Sequence, residues 1–346
     1  MTSTKSRSGS SSTSWLVKPF AWLAAALGFL VRFLLVAWAT LALYWSNVPW
    51  RWLRLVLAIA ILAFAIYALW LRRSRRLQLV FAGLFLAVLA SYLSIQPSFD
   101  RAWQTNVAVL PEVFVDGDRV VLKNVRNFDY RSTDDFTVRY ETREVLLSHL
   151  ISLDFFVSYW IPGPIAHTFV SFNFDNAPPV CISIEARRHE GQGFDPVSSL
   201  FKQFGLIYVV GEERDIVRVR TNYRHEDVYL YRIETSPEKA RGLFLIYLDR
   251  INELAVRPEF YHLLSNSCTI NIVRYARLVG KITRLDIGFL FNGYSDRALY
   301  RAGLLDRTLP FAQLRQRAWI NQLAQAADDG PDFPQRIRAS LPSEHR

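Results

Sequence analysis

Cys268 is the residue of this sequence whose type and setting best suit nucleophilic chemistry. It lies in the polar stretch Ser265–Thr269, immediately before a helical pattern of apolar residues that starts at Ile272. The first turn of a helix carries the positive end of the helix dipole and unpaired backbone N–H groups. Both features favour the thiolate form of a cysteine, and the same N–H groups can bind an oxyanion. The pattern is equally compatible with a helix-capping loop in which the cysteine has no chemical role.

The other cysteine, Cys181, lies in the apolar strand pattern Val180–Ile184. A free cysteine in such a segment usually behaves as a small buried hydrophobic residue, so a structural role is favoured. A Cys181–Cys268 disulfide is a further alternative if the compartment is oxidising.

A thiolate nucleophile needs a base, and His167 is the best placed of the six histidines. It lies near the start of the predicted strand 166–174, and Glu185 stands 18 residues later near the end of the next strand. Two neighbouring strands could bring this pair side by side, with the carboxylate orienting the imidazole. A lone strand histidine is more often a hydrogen-bonded core residue. The hypothesis therefore depends on His167, Glu185 and Cys268 as a set.

The charge distribution indicates a membrane protein and argues against nucleic-acid binding. The net charge is +10, yet residues 1–99 hold ten Lys and Arg and no Asp or Glu. Of the totals of 41 basic and 31 acidic residues, 31 of each sign therefore follow position 99. Because that part of the chain is neutral, the high pI is no evidence of a nucleic-acid surface. With 51% hydrophobic residues and two cysteines, the chain is neither disordered nor a disulfide-rich scaffold.

Three apolar stretches predict membrane-spanning helices within a transmembrane region over residues 19–96. They cover about residues 19–45, 53–71 and 77–95. The last two are long enough to cross a hydrocarbon core of about 30 Å. Arg32 interrupts the first, so an alternative is a span that starts near Arg32, with residues 19–31 lying in the membrane interface.

The loop over residues 72–76 predicts the orientation of these spans because it contains four arginines. The positive-inside rule places this loop in the cytoplasm, which puts everything after Gln96 on the outer side. Residues 1–18 are predicted to be a disordered cytoplasmic tail. In a bacterium, the chain would lie in the inner membrane with its C-terminal domain in the periplasm.

Residues 97–327 have the composition of a globular domain, and residues 328–346 are predicted to be a polar, frayed tail. Strand patterns precede helical patterns along this domain, which favours the α+β class. A hairpin is predicted over 112–124, around Asp116–Gly117. Further strands are predicted at 135–141, 154–160, 166–174, 179–188, 206–210, 215–222 and 228–234, and helices from Ser236–Pro237 to about Leu254 and from Cys268 to Leu278. Within 215–222, the alternation of Val and Arg indicates one packed and one solvated face.

A series of short motifs occurs in order along residues 110–340. These are Ile165-Ala-His-Thr-Phe-Val-Ser-Phe-Asn-Phe, Ser183-Ile-Glu-Ala-Arg-Arg, Ile207-Tyr-Val-Val-Gly-Glu-Glu-Arg-Asp, Val219-Arg-Thr-Asn-Tyr-Arg, Val228-Tyr-Leu-Tyr-Arg, Pro258-Glu-Phe-Tyr, Cys268-Thr, Phe291-Asn-Gly-Tyr and Gly303-Leu-Leu-Asp. Together they resemble the Lnb N-terminal periplasmic domain family of bacterial membrane proteins.

The resemblance implies a permuted papain-like fold of the NlpC type, in which the histidine precedes the cysteine. The family's namesake is a lipoprotein N-acyltransferase, which moves a fatty acyl chain to the amino group of a lipoprotein's terminal cysteine. Carried over to this sequence, the family's histidine is His167, its strand carboxylate is Glu185 and its nucleophile is Cys268.

The sequence departs from the family beside the nucleophile. The family usually has Asn-Cys-Thr-Thr, whereas here Ser267 precedes Cys268 and an isoleucine follows Thr269. If the family's asparagine helps to build the oxyanion site, Asn266 or Ser267 must replace it, with Thr269 on the other side of the cysteine.

These observations together predict a membrane-anchored periplasmic cysteine acyltransferase that acts on a membrane lipid or a lipoprotein through a thioester on Cys268. One alternative is a cysteine amidase or peptidase that uses the same triad on cell-envelope substrates. Another is a catalytically inactive envelope interaction module. The sequence contains no Gly-rich phosphate loop and no Cys/His cluster with zinc spacing, so no metal or organic cofactor is predicted.

Overall fold

The chain folds into two compact units, one ending at Gln96 and the other beginning at Pro97. The structure is a computed structural model that describes residues 14–280, 286–289 and 291–341. The division falls where the sequence changes from an apolar to a globular composition.

The first unit consists of three long apolar helices. They are α1 (Ser14–Tyr44), α2 (Arg51–Ile66), which a π-helical turn extends over Tyr67–Leu71, and α3 (Arg75–Ser94). Trp22–Tyr44, Arg51–Leu71 and Arg75–Ser94 are each long and apolar enough to cross a membrane. The prediction of three apolar N-terminal helices of spanning length is therefore confirmed.

Helix α1 begins earlier than predicted. Residues 14–18, which belong to the tail predicted over residues 1–18, form the start of this helix. Residues 1–13 lie outside the described part of the chain. A composition rich in Ser and Thr concealed this start, although Trp15–Val17 is apolar and contains no helix breaker. Helix α1 also continues through Arg32 without a break.

The second unit is built on an eight-stranded sheet. Its strands and those of a small separate sheet are β1 (Glu112–Asp116), β2 (Arg119–Arg126), β3 (Asp129–Tyr130), β4 (Phe136–Thr137), β5 (Tyr140–Leu146), β6 (Leu150–Tyr159), β7 (His167–Phe174), β8 (Val180–Arg187), β9 (Gly205–Gly211) and β10 (Asp227–Arg232). The order in the large sheet is β1-β2-β9-β8-β7-β6-β10, with β5 also paired to β2, and β3 pairs with β4 separately. The β1–β2 hairpin turns at Gly117, whose φ of +57° favours glycine.

The helices described in the second unit are α4 (Glu213–Ile216), α5 (Pro237–Val256), α6 (Cys268–Leu278), α7 (Ser295–Arg301), α8 (Phe311–Ala318), α9 (Asn321–Ala327) and α10 (Phe333–Arg336). Of these, α4 lies between β9 and β10, and the other six follow β10 along the chain. Helix α5 starts as predicted, because the Ser236 hydroxyl accepts a hydrogen bond from the Lys239 N–H at 3.4 Å. The α+β class is confirmed.

Alternation along β7 divides its side chains between two cores. Val170 and Phe172 pack on one face, in a core that includes residues of α5 and α6. Phe169 packs on the other face with Cys181 of β8 and with residues of α9 and α10. The sheet is therefore covered on both faces.

Residues 215–222 are not a strand, contrary to the prediction from their Val and Arg alternation. They are helical, with the end of α4 followed by a π-helical turn. The alternation would indicate a strand only if the arginines faced solvent. Instead, Arg218 and Arg220 are 4% and 3% exposed, and each pairs with a carboxylate (Asp328 and Glu185, respectively) at 2.9 Å. The alternation therefore did not reflect one buried and one solvent-exposed face, because its arginines are buried in ion pairs.

The prediction of a frayed tail over 328–346 is wrong as far as residue 341, and residues 342–346 are outside the described part. Phe333 and Ile337 have no exposed surface and belong to the second core. Because two apolar residues among many polar ones make no periodic pattern, the sequence did not indicate that this segment packs.

Candidate active site

A cavity of about 300 Å³ lies at the end of the sheet where β7 begins and β8 ends. The start of β7 contributes Ile165, Ala166 and His167 to its lining, and the end of β8 contributes residues 184–186. Charged and polar side chains occupy part of the wall, and aromatic and aliphatic side chains occupy the rest. A pocket that combines apolar walls with convergent polar groups is the usual form of a small-molecule site.

The structure brings His167 and Glu185 together, with Ser183 between them. His167 Nε2 lies 2.7 Å from Ser183 Oγ, Ser183 donates to Glu185 Oε1 at 2.9 Å, and Nε2 is 3.9 Å from Oε1. An ionised carboxylate only accepts hydrogen bonds, so the Ser183 hydroxyl donates its proton to the hydrogen bond with Glu185. The Ser183 oxygen then accepts a hydrogen bond from the Nε2–H group of His167. Nδ1 is then the unprotonated nitrogen. It has no hydrogen-bond partner among the described residues and is not buried.

Arg220 sets the charge state of this group. Its guanidinium donates to Glu185 Oε1 at 2.9 Å. Burial alone would raise the pKa of Glu185, but Arg220, together with His167, Arg126 and Arg224, outweighs burial and holds that pKa well below its ordinary value. Burial, followed by the charge of Arg220, lowers the pKa of His167 to about 3. His167 is therefore neutral near pH 7 and can accept a proton at Nδ1.

Replacing His167 with Gln should make the protein less sensitive to acid. The folded pKa of about 3 lies below the ordinary value of 6.5. Between these values the unfolded state binds more protons, so stability falls as pH falls. From pH 7 to pH 5, this group should lower the wild-type free energy of unfolding by about 2 kcal/mol. Denaturant unfolding of the full chain at the two pH values measures the difference.

His225 offers the control for this measurement. It is exposed and has a φ of +54°, which asparagine tolerates. His225→Asn should keep the wild-type pH dependence. If His167→Gln also keeps it, His167 is not held in its neutral form by burial.

Cys268 is the first residue of α6 and lies behind the cavity wall. It is 1% exposed. Asn292, which lines the cavity, donates to the Cys268 sulfur at 3.2 Å and to the Ala166 carbonyl at 3.1 Å. Tyr261 also lines the cavity, and burial, then the neighbouring Cys268, raise its pKa well above the ordinary value. The thiol therefore lies next to two side chains that face the cavity.

The sheet separates Cys268 from His167. Thr168 Oγ1 lies 2.8 Å from Thr269 Oγ1, so Thr168 points towards α6. Because successive residues of a strand point to opposite faces, His167 points away from α6, and its ring stacks on Phe169 at 5.7 Å. In the described residues, no hydrogen bond joins Cys268 to His167. His167 lines the cavity at the start of β7, whereas Cys268 lies behind the lining residues Asn292 and Tyr261.

Asn266 and Ser267, which were predicted to flank the nucleophile, differ in how they are bonded. The Asn266 amide donates to the Glu259 carboxylate at 3.0 Å and to the Phe260 carbonyl at 2.9 Å, and it accepts from Asn271 at 2.9 Å. Asn266 therefore holds the loop that precedes α6. Ser267 has no exposed surface, and its hydroxyl lacks a partner in the described chain. A buried hydroxyl without a hydrogen-bond partner among the described residues therefore lies directly before Cys268 in the chain.

Sequence reasoning missed four side chains of this site: Ser183, Arg220, Tyr261 and Asn292. Ser183 stands two residues before Glu185, and the period of two along a strand could have placed it on the same face. Arg220 was hidden by the wrong strand assignment. Tyr261 lies in a loop and Asn292 begins a three-residue 3-10 helix, and neither segment is long enough for a periodicity that would indicate the direction of a side chain.

The two cysteines do not form the disulfide considered above, since both are free and buried. Cys181 packs on the face opposite α6, so the sheet lies between the two sulfurs. Burial raises the pKa of the Cys181 thiol, which keeps it protonated and unreactive. In the ranges 14–280, 286–289 and 291–341, no group of three metal-ligating side chains could hold a metal ion.

Comparison with known proteins gives one match. Residues 136–296 match the family model described as Lnb N-terminal periplasmic domain. This range contains His167, Glu185 and Cys268, and the match confirms the resemblance predicted from the motifs. No curated protein and no solved structure matches the chain significantly.

Proposed function

Because residues 136–296 match the Lnb N-terminal periplasmic domain family, we propose that this chain is a membrane-anchored cysteine acyltransferase facing the bacterial periplasm. The observation that carries the proposal is the cavity bordered by an oriented, neutral histidine and, behind Asn292 and Tyr261, by a cysteine at a helix N-terminus. The order of His167 before Cys268 is that of a permuted papain-like domain of the NlpC type.

The arginines between α2 and α3 support this orientation. Four of them lie within residues 72–76, and the positive-inside rule assigns such a loop to the cytoplasm. Three spans then carry the chain to the outer side before Pro97. Lipids of the inner membrane and periplasmic lipoproteins are accordingly the available substrates.

In the proposed first step, the Cys268 sulfur attacks the carbonyl carbon of an ester-linked acyl chain. The donor is a phospholipid or the lipid of a lipoprotein. His167 Nδ1 accepts the thiol proton and then passes it to the departing alkoxide. A C–S bond forms, the ester C–O bond breaks, and the acyl chain remains on the enzyme as a thioester.

In the second step, the terminal amino group of a lipoprotein attacks the thioester. His167 takes a proton from this amine as the C–N bond forms, the C–S bond breaks, and the protonated histidine restores the thiol. The first-turn N–H groups of α6 and the Asn292 amide are suited to stabilise the oxyanion of each tetrahedral intermediate. Ser267, with its unpaired hydroxyl, is a further candidate donor.

The burial of Cys268 imposes a condition on this mechanism. The residue is 1% exposed, and His167 points to the other face of the sheet. Binding of the acyl donor must therefore displace Asn292 or Tyr261 so that the Cys268 sulfur and the His167 ring meet at the start of β7. Assembly of a catalytic site by substrate binding is a known source of specificity.

Replacing Ser183 with Ala should reduce acyl transfer by about 10- to 100-fold. The serine hydroxyl is the link through which Glu185 fixes the tautomer of His167, and outer partners of this kind typically contribute that much. Single-turnover transfer from a labelled phospholipid measures the effect. Ser171→Ala is a matched control, because Ser171 lies on β7 four residues after His167, on the same face of the strand, and makes no hydrogen bond to His167 or Glu185 in the described chain. Equal rates for both variants would contradict the proposed relay.

The proposal is tested by mass analysis of lipoprotein N-termini in cells with and without the active chain. We expect N-acylated termini to be lost when Cys268 is replaced. Unchanged lipoproteins with altered muropeptides would instead support the amidase or peptidase, which would use the same side chains.

The burial of Cys268 also favours a second candidate, a binding module without catalysis. Such a module would leave both lipoproteins and muropeptides unchanged, and its cysteine would only pack in the core. The same experiment therefore separates all three functions.

A further inference from the structure

The cavity beside His167 has more positive than negative side chains. Its charged lining residues are Arg188, Arg220, Arg224, Glu185 and Glu226. Glu185 is paired with Arg220, and Glu226 accepts a hydrogen bond from Ser158 at 2.5 Å. His167 is neutral, with a pKa of about 3. One positive charge in the lining is therefore uncompensated.

Arg188 and Arg224 are the arginines that lack strong partners. The Arg188 guanidinium has no hydrogen bond or ion pair with any described residue. Arg224 lies 3.8 Å from Glu226, beyond hydrogen-bond distance, and 32% of its side chain is exposed. Guanidinium groups bind the oxygens of phosphates and carboxylates through paired N–H donors. These two side chains are thus available to bind an anion inside the cavity.

Exposed apolar side chains lie in the segments that line the cavity. Trp160 lines the cavity and is 44% exposed, while Ile161, Leu264 and Phe291 are neighbours in sequence of lining residues and are 67%, 55% and 47% exposed. We refer to these four side chains as the apolar rim. Exposed apolar side chains beside basic ones are typical of surfaces that enter the headgroup region of a bilayer.

Chain connectivity supports a lipid as the occupant. Helix α3 ends at Ser94, and the second unit begins at Pro97. Two residues therefore join the second unit covalently to the segment that is proposed to span the bilayer, so membrane lipids are among the molecules available to it.

From the unpaired Arg188, the weakly paired Arg224 and the apolar rim, we propose that the cavity binds the phosphodiester group of an anionic membrane lipid. Arg188 and Arg224 contact the phosphate oxygens, and the apolar rim contacts the glycerol and the first carbons of the acyl chains. This inference rests on the proposed function in one respect, namely that the bound lipid is the acyl donor. It selects a phospholipid over the uncharged diacylglyceryl group of a lipoprotein.

Binding can be measured calorimetrically with the full chain held in a non-ionic amphipol. The probes are dihexanoylphosphatidylglycerol below its micellar concentration, dihexanoylglycerol, which lacks the phosphate, and inorganic phosphate. We expect the phospholipid to bind at least about tenfold more tightly than either other probe, because it alone presents both charge and apolar surface. Arg188→Gln and Arg224→Gln should each weaken phospholipid binding about tenfold.

Matched controls test charge and apolar surface separately. Arg139→Gln removes an exposed arginine outside the cavity lining and should change affinity less than about twofold. Ile161→Ser should weaken phospholipid binding several-fold and leave phosphate binding unchanged. Leu278→Ser, at the far end of α6 and 70% exposed, should change neither.

Three results would overturn the proposal. Equal affinity for dihexanoylglycerol would remove the role of the phosphate, and equal affinity for inorganic phosphate would show a plain anion site. Wild-type affinity in the Arg188→Gln/Arg224→Gln double variant would place the lipid elsewhere. Cys268→Ala should bind the phospholipid as wild type does, so failure of the acyltransferase proposal can be told apart from failure of this one.

Discussion

Replacing Cys268 with Ala should abolish formation of an acyl-enzyme and reduce acyl transfer by at least about 10³-fold. In the proposed mechanism, the sulfur at the start of α6 forms the bond to the acyl chain, and no neighbouring group can take its place. Loss of a nucleophile removes the whole covalent route, whereas loss of an orienting group only slows it.

Intact-mass analysis of the full chain after incubation with dihexanoylphosphatidylglycerol measures this effect. The wild type should gain the mass of one hexanoyl group in a bond that hydroxylamine cleaves, as expected for a thioester. Cys268→Ala should gain none.

Cys181→Ala is a close control, since Cys181 is the other buried free cysteine and lies on the opposite side of the sheet. It should acylate like the wild type. An adduct on Cys268→Ala, or its loss in Cys181→Ala, would contradict the assignment of the nucleophile. Thermal unfolding of both variants shows whether the fold is retained.

Replacing Arg338 with Met should destabilise the second unit by about 3–5 kcal/mol. The guanidinium donates to both oxygens of Glu213, at 2.7 and 2.5 Å, and to Asp154 at 2.8 Å. Both carboxylates have no exposed surface. Asp154 would keep its contact with Arg232 at 2.5 Å, but Glu213 would be left as a buried, unpaired charge.

Thermal unfolding of the full chain should show this loss as a decrease of about 6–20 °C in the melting temperature of the second unit. Arg336→Met is the control, because Arg336 is exposed, lies two residues away and should change the melting temperature by less than about 2 °C.

A second substitution can identify the cause. Glu213→Gln removes the charge that Arg338 neutralises, and in the Arg338→Met background it should restore part of the lost stability. A deficit that Glu213→Gln does not relieve would mean that Arg338 acts by packing alone. The segment after residue 328 is a structural part of the fold in either case.

The elements with a strong local signal were predictable from the sequence. The three apolar helices follow from length and composition, because an uninterrupted apolar run of about 20 residues has few alternatives to a membrane span. The β1–β2 hairpin follows from Asp116–Gly117, and α5 from Ser236–Pro237. Helix α6 has the predicted bounds, Cys268–Leu278.

Elements held by distant charges could not be predicted in this way. Arg218 and Arg220 are buried because Asp328 and Glu185 neutralise them, and those partners are more than 30 residues away in the chain. The alternation of valine and arginine within residues 215–222 therefore indicated a strand with one solvent-exposed face. Arg338 and the last described residues are a second case, since their partners lie on β6 and α4.

The sequence by itself determined which residues carry reactive groups and predicted that His167 and Glu185 lie on successive strands. It also determined, through β alternation, that residues 167 and 168 point to opposite faces. Only the tertiary structure decided that α6 packs against the face of Thr168, which leaves Cys268 behind Asn292 and Tyr261 and on the other side of β7 from the imidazole. The reason is physical: alternation follows from local backbone geometry, but the choice of the face that a helix covers depends on packing among segments about 100 residues apart.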